Sequence, residues 1–122
     1  MKHSVFIVED NPVWCDGLRS FFESTGDFLP TAFTDPNEAW NAMLLSPPDL
    51  ALIDIIMPGL SGHELAELMH DNAIPTKVIF LTAILTQEES KARGYRVGNQ
   101  TVIGKPFKLD DLLSLARNAL TV

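Results

Sequence analysis

Cysteine occurs once in the 122 residues, as Cys15, so no intrachain disulfide can form and a cysteine-built zinc site is excluded. Positive charge is also scarce: nine Lys and Arg against sixteen Asp and Glu give a formal net charge of -7. Clustered Lys and Arg are what bind phosphate backbones, so no nucleic-acid surface is expected within this chain. The acidity points instead to a cation site or a protein partner. Long apolar runs are missing too. The first one lasts only from Val5 to Val8 before Glu9 and Asp10 end it, too short for a signal peptide, and none later reaches membrane-spanning length. These absences predict a cytoplasmic protein with no membrane contact. His3, His63 and His70 lack metal-ligand spacing and read as surface residues.

What is present suits one folded unit, taken as a single domain over residues 1–122. Hydrophobic residues make up 46% and charged residues 20%, too apolar for a disordered chain. At this length roughly two-thirds of the unfolded surface can be buried. The chain is organised around Leu50-Ala51-Leu52-Ile53-Asp54, entered from Pro47-Pro48-Asp49 and left through Met57-Pro58-Gly59. Unbroken apolar residues between breakers predict a strand buried on both faces, as in a parallel sheet. Asp54 stands at its carboxyl end, the edge where ligands collect in open α/β sheets.

Val5 to Val8 repeats the pattern and ends in Glu9-Asp10. Asn11-Pro12 then caps a helix with Trp14, Leu18, Phe21 and Phe22 on one face and Gly26 at its close. Phe28 to Phe33 is strand-like, but Pro30 cannot donate to a ladder, which sends this segment to a sheet edge. Asp35-Pro36 starts a second helix with Trp40, Met43 and Leu44 inward. Ser61-Gly62-His63-Glu64 is a capping box opening a third, with Leu65, Leu68 and Met69 toward the core. Val78 to Leu81 is a strand leading to Thr82-Ala83. The helix capped by Thr86 and Glu89 has a thin apolar face and meets Gly94 and Gly98, so it is expected to be short and mobile relative to the others. Thr101 to Gly104 is the last strand and delivers Lys105-Pro106; Leu109, Leu112, Leu113, Ala116 and Leu120 line a final helix. The aromatic and Met residues at helical spacing, Trp14 and Trp40 among them, read as core, and Cys15 as a small structural residue.

Five strands alternating with five helices predict a doubly wound α/β domain. Right-handed crossovers, with Pro30 at an edge, fit the flavodoxin-like order 2-1-3-4-5, with helices on both faces. Glu9, Asp10 and Asp54 then converge at the switch point, with Thr82 and Lys105 on the same edge. Singly, each is an ordinary turn or surface residue; together they form a set. Three adjacent carboxylates raise a pKa unless a cation neutralises them, and Mg²⁺ is the hard, oxygen-preferring ion such a site takes. A hydroxyl and an ammonium opposite that ion suit a phosphoryl group.

With Glu9-Asp10, Asp54 followed by Met57-Pro58-Gly59, Thr82-Ala83 and Lys105-Pro106 in this order, essentially the whole chain resembles a receiver domain of the two-component response regulators, the CheY-like modules. The resemblance implies that Asp54 accepts a phosphoryl group from a sensor histidine kinase, a phosphotransfer protein or a small phosphodonor, with Mg²⁺ present. It implies that Asp10, Asp54 and the backbone carbonyl of Ile56 bind the metal, with Glu9 acting through water. Thr82 and Lys105 would hold phosphoryl oxygens, and the peptide before Pro106 would be cis. The chain would then be no enzyme beyond its own phosphorylation and slow dephosphorylation. A homodimer or effector surface would lie on the fourth helix, last strand and last helix. Where many receivers carry Tyr or Phe three residues before the lysine, this sequence has Val102, so output is expected to travel through the loop after Thr82 and the fourth helix. The alternatives are an unphosphorylated docking module and an aspartyl phosphatase. The latter's second acid is absent, its place held by Ile56. A flavin carrier of the same fold would need a Ser-, Thr- and Gly-rich loop where Glu9-Asp10 stands.

Overall fold

The computed structural model describes residues 2–121, and its elements follow the chain in the expected alternation. They are β1 (His3–Val8), α1 (Pro12–Thr25), β2 (Phe28–Phe33), α2 (Pro36–Leu45), β3 (Leu50–Asp54), α3 (Gly62–Asp71), β4 (Lys77–Thr82), α4 (Gln87–Ala92), β5 (Arg96–Val97), β6 (Gln100–Gly104) and α5 (Leu109–Leu120). The sheet order is β2-β1-β3-β4-β6-β5. Its first five members are parallel and reproduce the predicted order, with β2, which carries Pro30, at one edge. The expected five strands become six. The added β5 pairs antiparallel with β6 through Arg96↔Thr101 and Val97↔Gln100. Two residues are too few to carry an alternation signal, and Gly98, at a φ of 60°, makes the turn into β6.

Side-chain alternation along the strands feeds two cores. Ile7, Leu52, Leu81 and Ile103 meet α1 and α5 on one face, among them Leu18, Phe22, Leu112 and Ala116. Val8, Ile53, Phe80 and Val102 meet α2 and α3 on the other, among them Met43, Leu65 and Met69. Every residue of β3 is buried, as expected for a strand covered on both faces. Cys15 lies in the first core, and burial pushes its thiol pKa up, which suits an unreactive residue. Two residues assigned to the core by helical spacing are displaced. Trp14 is 39% and Leu44 53% exposed; α2 buries Met43, as expected, and Ala39 beside it. Trp14 occupies the first turn of α1, at the end of the sheet, where the core runs out.

The caps form as the sequence indicates. Asn11 Oδ1 accepts from the Val13 and Trp14 N–H groups, and both capping boxes, Ser61 with Glu64 and Thr86 with Glu89, are closed in both directions. Gly62, at the start of α3, packs directly on the end of β3. Its N–H donates to the Ile55 carbonyl at 2.9 Å, and a Cβ there would lie 2.3 Å from the Asp54 carbonyl oxygen. At the opposite end of the sheet, Arg117 of α5 grips Asp27 with two bonds, of 3.0 and 3.1 Å. Those bonds hold the Asp27 carboxyl at a pKa of about 2.

Two outcomes are expected. Gly62→Ala forces backbone apart beneath Asp54 and lowers stability by about 1–3 kcal/mol, read as a lower urea midpoint with unchanged slope. Because the Asp27 pKa is depressed on folding, the Arg117 pair contributes above the ordinary carboxyl value and its contribution fades as pH falls through about 2. Arg117→Ala returns the Asp27 titration, followed by carboxyl ¹³C shift, to the ordinary range.

Candidate functional site

The register sets the site. Val8 pairs with Ile53, so Glu9 and Asp54 leave neighbouring strands at the same level. Asp54 in turn pairs with Leu81, which places Thr82 beside it on β4, and Thr82 pairs with Gly104, which puts Lys105 next on β6. The four strand ends predicted to share one edge do so.

At this edge Lys105 Nζ donates to Glu9 Oε1 at 2.8 Å and to Asp54 Oδ2 at 3.2 Å. Glu9, Asp54 and Thr82 are buried, and the Lys105 side chain is only 17% exposed, so these charges interact with little solvent screening. Asp10 is exposed, yet one of its carboxylate oxygens lies with those of Glu9 and Asp54 in a cluster whose members are all within 4.8 Å of one another. Burial raises the Glu9 pKa to about 7, and the neighbouring Asp54 pushes the same way against the pull of Lys105. Burial alone would lower the Lys105 pKa; the two carboxylates overcome it and hold the ammonium charged. Glu9 Oε2 is buried and has no hydrogen-bond partner among the described residues.

One ammonium against three carboxylates leaves the edge electron-rich. Oxygen donors from three acids, one of them orphaned, are the donor chemistry that a hard divalent cation takes, so the residues fit Mg²⁺. The Ile56 N–H donates to Asp54 Oδ1 at 3.4 Å, placing the Ile56 backbone beside the acid as expected of the loop after β3. The Lys105–Pro106 peptide is cis.

Two contacts add detail that the sequence reading did not contain. Glu9 pairs directly with Lys105. The Thr82 hydroxyl accepts from the Ile84 N–H at 3.0 Å, closing its own turn. Sequence reasoning also passed over Trp14 as a neighbour of the site. Lys105 Nζ lies 5.7 Å from the centroid of its ring, within cation–π range, and the ring packs on Phe107 at 5.8 Å. The available signal was position: Trp14 is one helical turn beyond Asp10.

A family model described as the response regulator receiver domain matches residues 5–117. Response regulator Rre1 of Synechocystis sp. is 31% identical over 121 residues, covering 96% of this chain and 51% of the relative. The regulatory protein VanRB of Enterococcus faecalis is 32% identical over 114 residues, covering 93% of this chain and 50% of its own length. The chain thus spans about half the length of these curated relatives. Among solved structures, the receiver domain of the Francisella response regulator 1452 superposes with a TM-score of 0.83 at 27% identity, covering 98% of this chain and 97% of that one. With the parallel sheet, the acidic edge and a match running through both, the chain belongs to the response regulator receiver domain family of two-component signalling.

Proposed function

We propose that Asp54 is the phosphoacceptor, taking a phosphoryl group from the phosphohistidine of a sensor histidine kinase or phosphotransfer protein, or from a small acyl phosphate. A carboxylate oxygen of Asp54 forms the new P–O bond while the bond from phosphorus to the donor nitrogen or oxygen breaks, and the electron pair leaves with the donor. Mg²⁺, held by Asp10, Asp54 and the Ile56 carbonyl with Glu9 reached through water, would supply charge neutralisation for the incoming phosphoryl oxygens. The observation that carries the reading is the Lys105 ammonium, already drawn to Asp54 at 3.2 Å and able to follow charge onto a phosphoryl oxygen. Thr82, buried beside it, has a hydroxyl proton to donate to another.

The loops supply nothing to orient an attacking water. Ile56 and Ile84, each two residues beyond a site residue, are 62% and 70% exposed and apolar. The phosphoryl group is therefore long-lived, and the chain acts on itself rather than turning over external substrates; the lack of an acid at Ile56 weighs against a phosphatase. Partners other than the donor would dock on α4, β6 and α5, as an effector or a second copy. Among the described residues no helix is long and apolar enough to cross a membrane, and a cytoplasmic site of action belongs to the same proposal.

Incubation with acetyl phosphate and Mg²⁺ adds one phosphoryl mass, mapped to Asp54, and chelation or Asp54→Asn abolishes it. No added mass in the wild type would overturn the reading and leave a docking module. Lys105→Ala slows acquisition by roughly 10- to 100-fold, the size of a lost charge-assisted hydrogen bond worth about 1.5–3 kcal/mol. Ile56→Asn, by offering a polar group to position water, shortens the lifetime of the phosphoryl group several-fold in a decay assay; wild-type decay faster than the variant's contradicts the account.

A further inference from the structure

Trp14 is a large apolar side chain that folding leaves 39% exposed, on the first turn of α1. Hydrophobic burial therefore does not account for where its ring lies. Two local contacts fix it there. At the backbone, the Asn11 side chain accepts from the Trp14 N–H at 3.2 Å and pins the turn. At the ring, Phe107 packs with 5.8 Å between centroids and a tilt of 60°. Phe107 comes two residues after Lys105, so the indole is clamped to the segment that carries the ammonium.

Lys105 is a demanding residue to place. Its four-carbon stem is flexible, and its ammonium has three donors. Glu9 accepts at 2.8 Å and Asp54 at 3.2 Å. The indole covers a further side of the charge: Nζ stands over the ring, 5.7 Å from its centroid. The face of an aromatic ring is the negative part of its quadrupole, so the ring attracts the ammonium without accepting a directed hydrogen bond. That difference matters when the charge has to move. A third carboxylate in this place would hold Nζ by a bond that must break before the ammonium could follow a phosphoryl oxygen. The pull of a ring face has no such bond to break, and it keeps the charge beside the site while its partners are exchanged. The ring also shields the ammonium, whose side chain is only 17% exposed, from water that would weaken its attraction to an anion.

We infer that Trp14 is a positioning residue for phosphoryl acquisition, acting through the π face that it presents to Lys105, an inference that rests on Asp54 being the phosphoacceptor. The ring works through the ammonium. It steadies Nζ beside the carboxylates in the free protein and within reach of the phosphoryl oxygen that becomes its new partner.

Fluorine on an indole drains its π density with little change of shape, so 5-fluoro- and 5,7-difluorotryptophan separate the charge on the face from the bulk of the ring. Trp14 and Trp40 are the two tryptophans, and a Trp14→Phe protein fluorinated in parallel carries the label at Trp40 alone. The readout is phosphoryl gain from acetyl phosphate at saturating Mg²⁺, a donor with which no partner protein touches the ring. The rate falls with each fluorine, by roughly 3- to 10-fold at the second; Trp14→Leu falls at least as far, and Trp14→Phe lies between it and the wild type. Fluorinated Trp14→Phe keeps the rate of its unlabelled form. In the free protein the Lys105 ε-methylene protons resonate upfield of the ordinary lysine range, and Trp14→Leu returns them to it. A flat rate across the fluorinated series overturns the inference even where Trp14→Leu is slow, because bulk alone then accounts for the loss. So does an equal slowing of fluorinated Trp14→Phe, or a wild type whose Lys105 protons lie at ordinary values. If Trp14→Leu does not fold, the fluorinated series, which keeps the side chain, decides. A wild type that gains no phosphoryl group is a different result: it removes the phosphoacceptor reading, and the role of Trp14 falls with it.

Discussion

The Lys105 ammonium is the interaction on which the rest of the site depends. Two carboxylates, Glu9 and Asp54, arrive buried at the ends of adjacent strands, and the cation that pairs with both comes from β6, across β4. Removing one partner of a buried ionic group typically costs about 3–5 kcal/mol, because the charge left behind has no water to turn to. Glu9 relieves part of that demand by holding a proton more readily than a solvated acid, with a pKa of about 7. One ammonium thus faces the carboxylates of Glu9 and Asp54, with that of Asp10 beside them, and this meeting of charges exists only because the sheet order places β1 beside β3.

Two glycines flank this charge cluster and serve the same purpose on either side of it. Gly62 lets α3 start against the carbonyl of Asp54, and Gly104 lets the loop after β4 lie on the strand that ends in Lys105. Both have ordinary negative φ, so neither is needed for backbone conformation; what each removes is a side chain between two backbones. The acid and the lysine are therefore fixed by main-chain contact, which tolerates less slack than side-chain packing. Trp14 closes the remaining side with its ring near the ammonium.

The parts of this design that were legible in the sequence are those carried by local signals. Asn11, Ser61 and Thr86 announced helix starts because a side-chain oxygen must meet N–H groups two or three residues on. Pro30 announced an edge because it lacks a donor, and the apolar runs ending in acid announced strand ends. From these the order of the sheet and the convergence of Glu9, Asp10, Asp54, Thr82 and Lys105 followed. The pairing of Glu9 with Lys105, 96 residues apart, could be bounded to one edge but not to a bond. Trp14 misled because helical spacing reports which face a residue is on and not whether the core extends that far along the helix. β5 was too short to carry a period. Gly104 left no signal, since a contact made by the absence of a side chain has no residue pattern.

These contacts also divide the molecule into parts that yield unequally. α1 and α5 share one continuous core with the sheet, and α2 and α3 share the other, so moving any of them exposes apolar surface at once. α4 has no such surface at stake. Its connections are the hydroxyl of Ser90, its one buried residue, which accepts from the Gly104 N–H, the Gln87 side chain, which accepts from the Lys108 N–H and donates to Asp111 of α5, and the backbone bonds of Tyr95 with Ser90 and Val102. Hydrogen bonds of this kind can be exchanged one for another within a small displacement, whereas a core side chain cannot leave its pocket by degrees. Of the five helices α4 is therefore the one held least firmly, and the apolar poverty that made it look weak in the sequence is the cause.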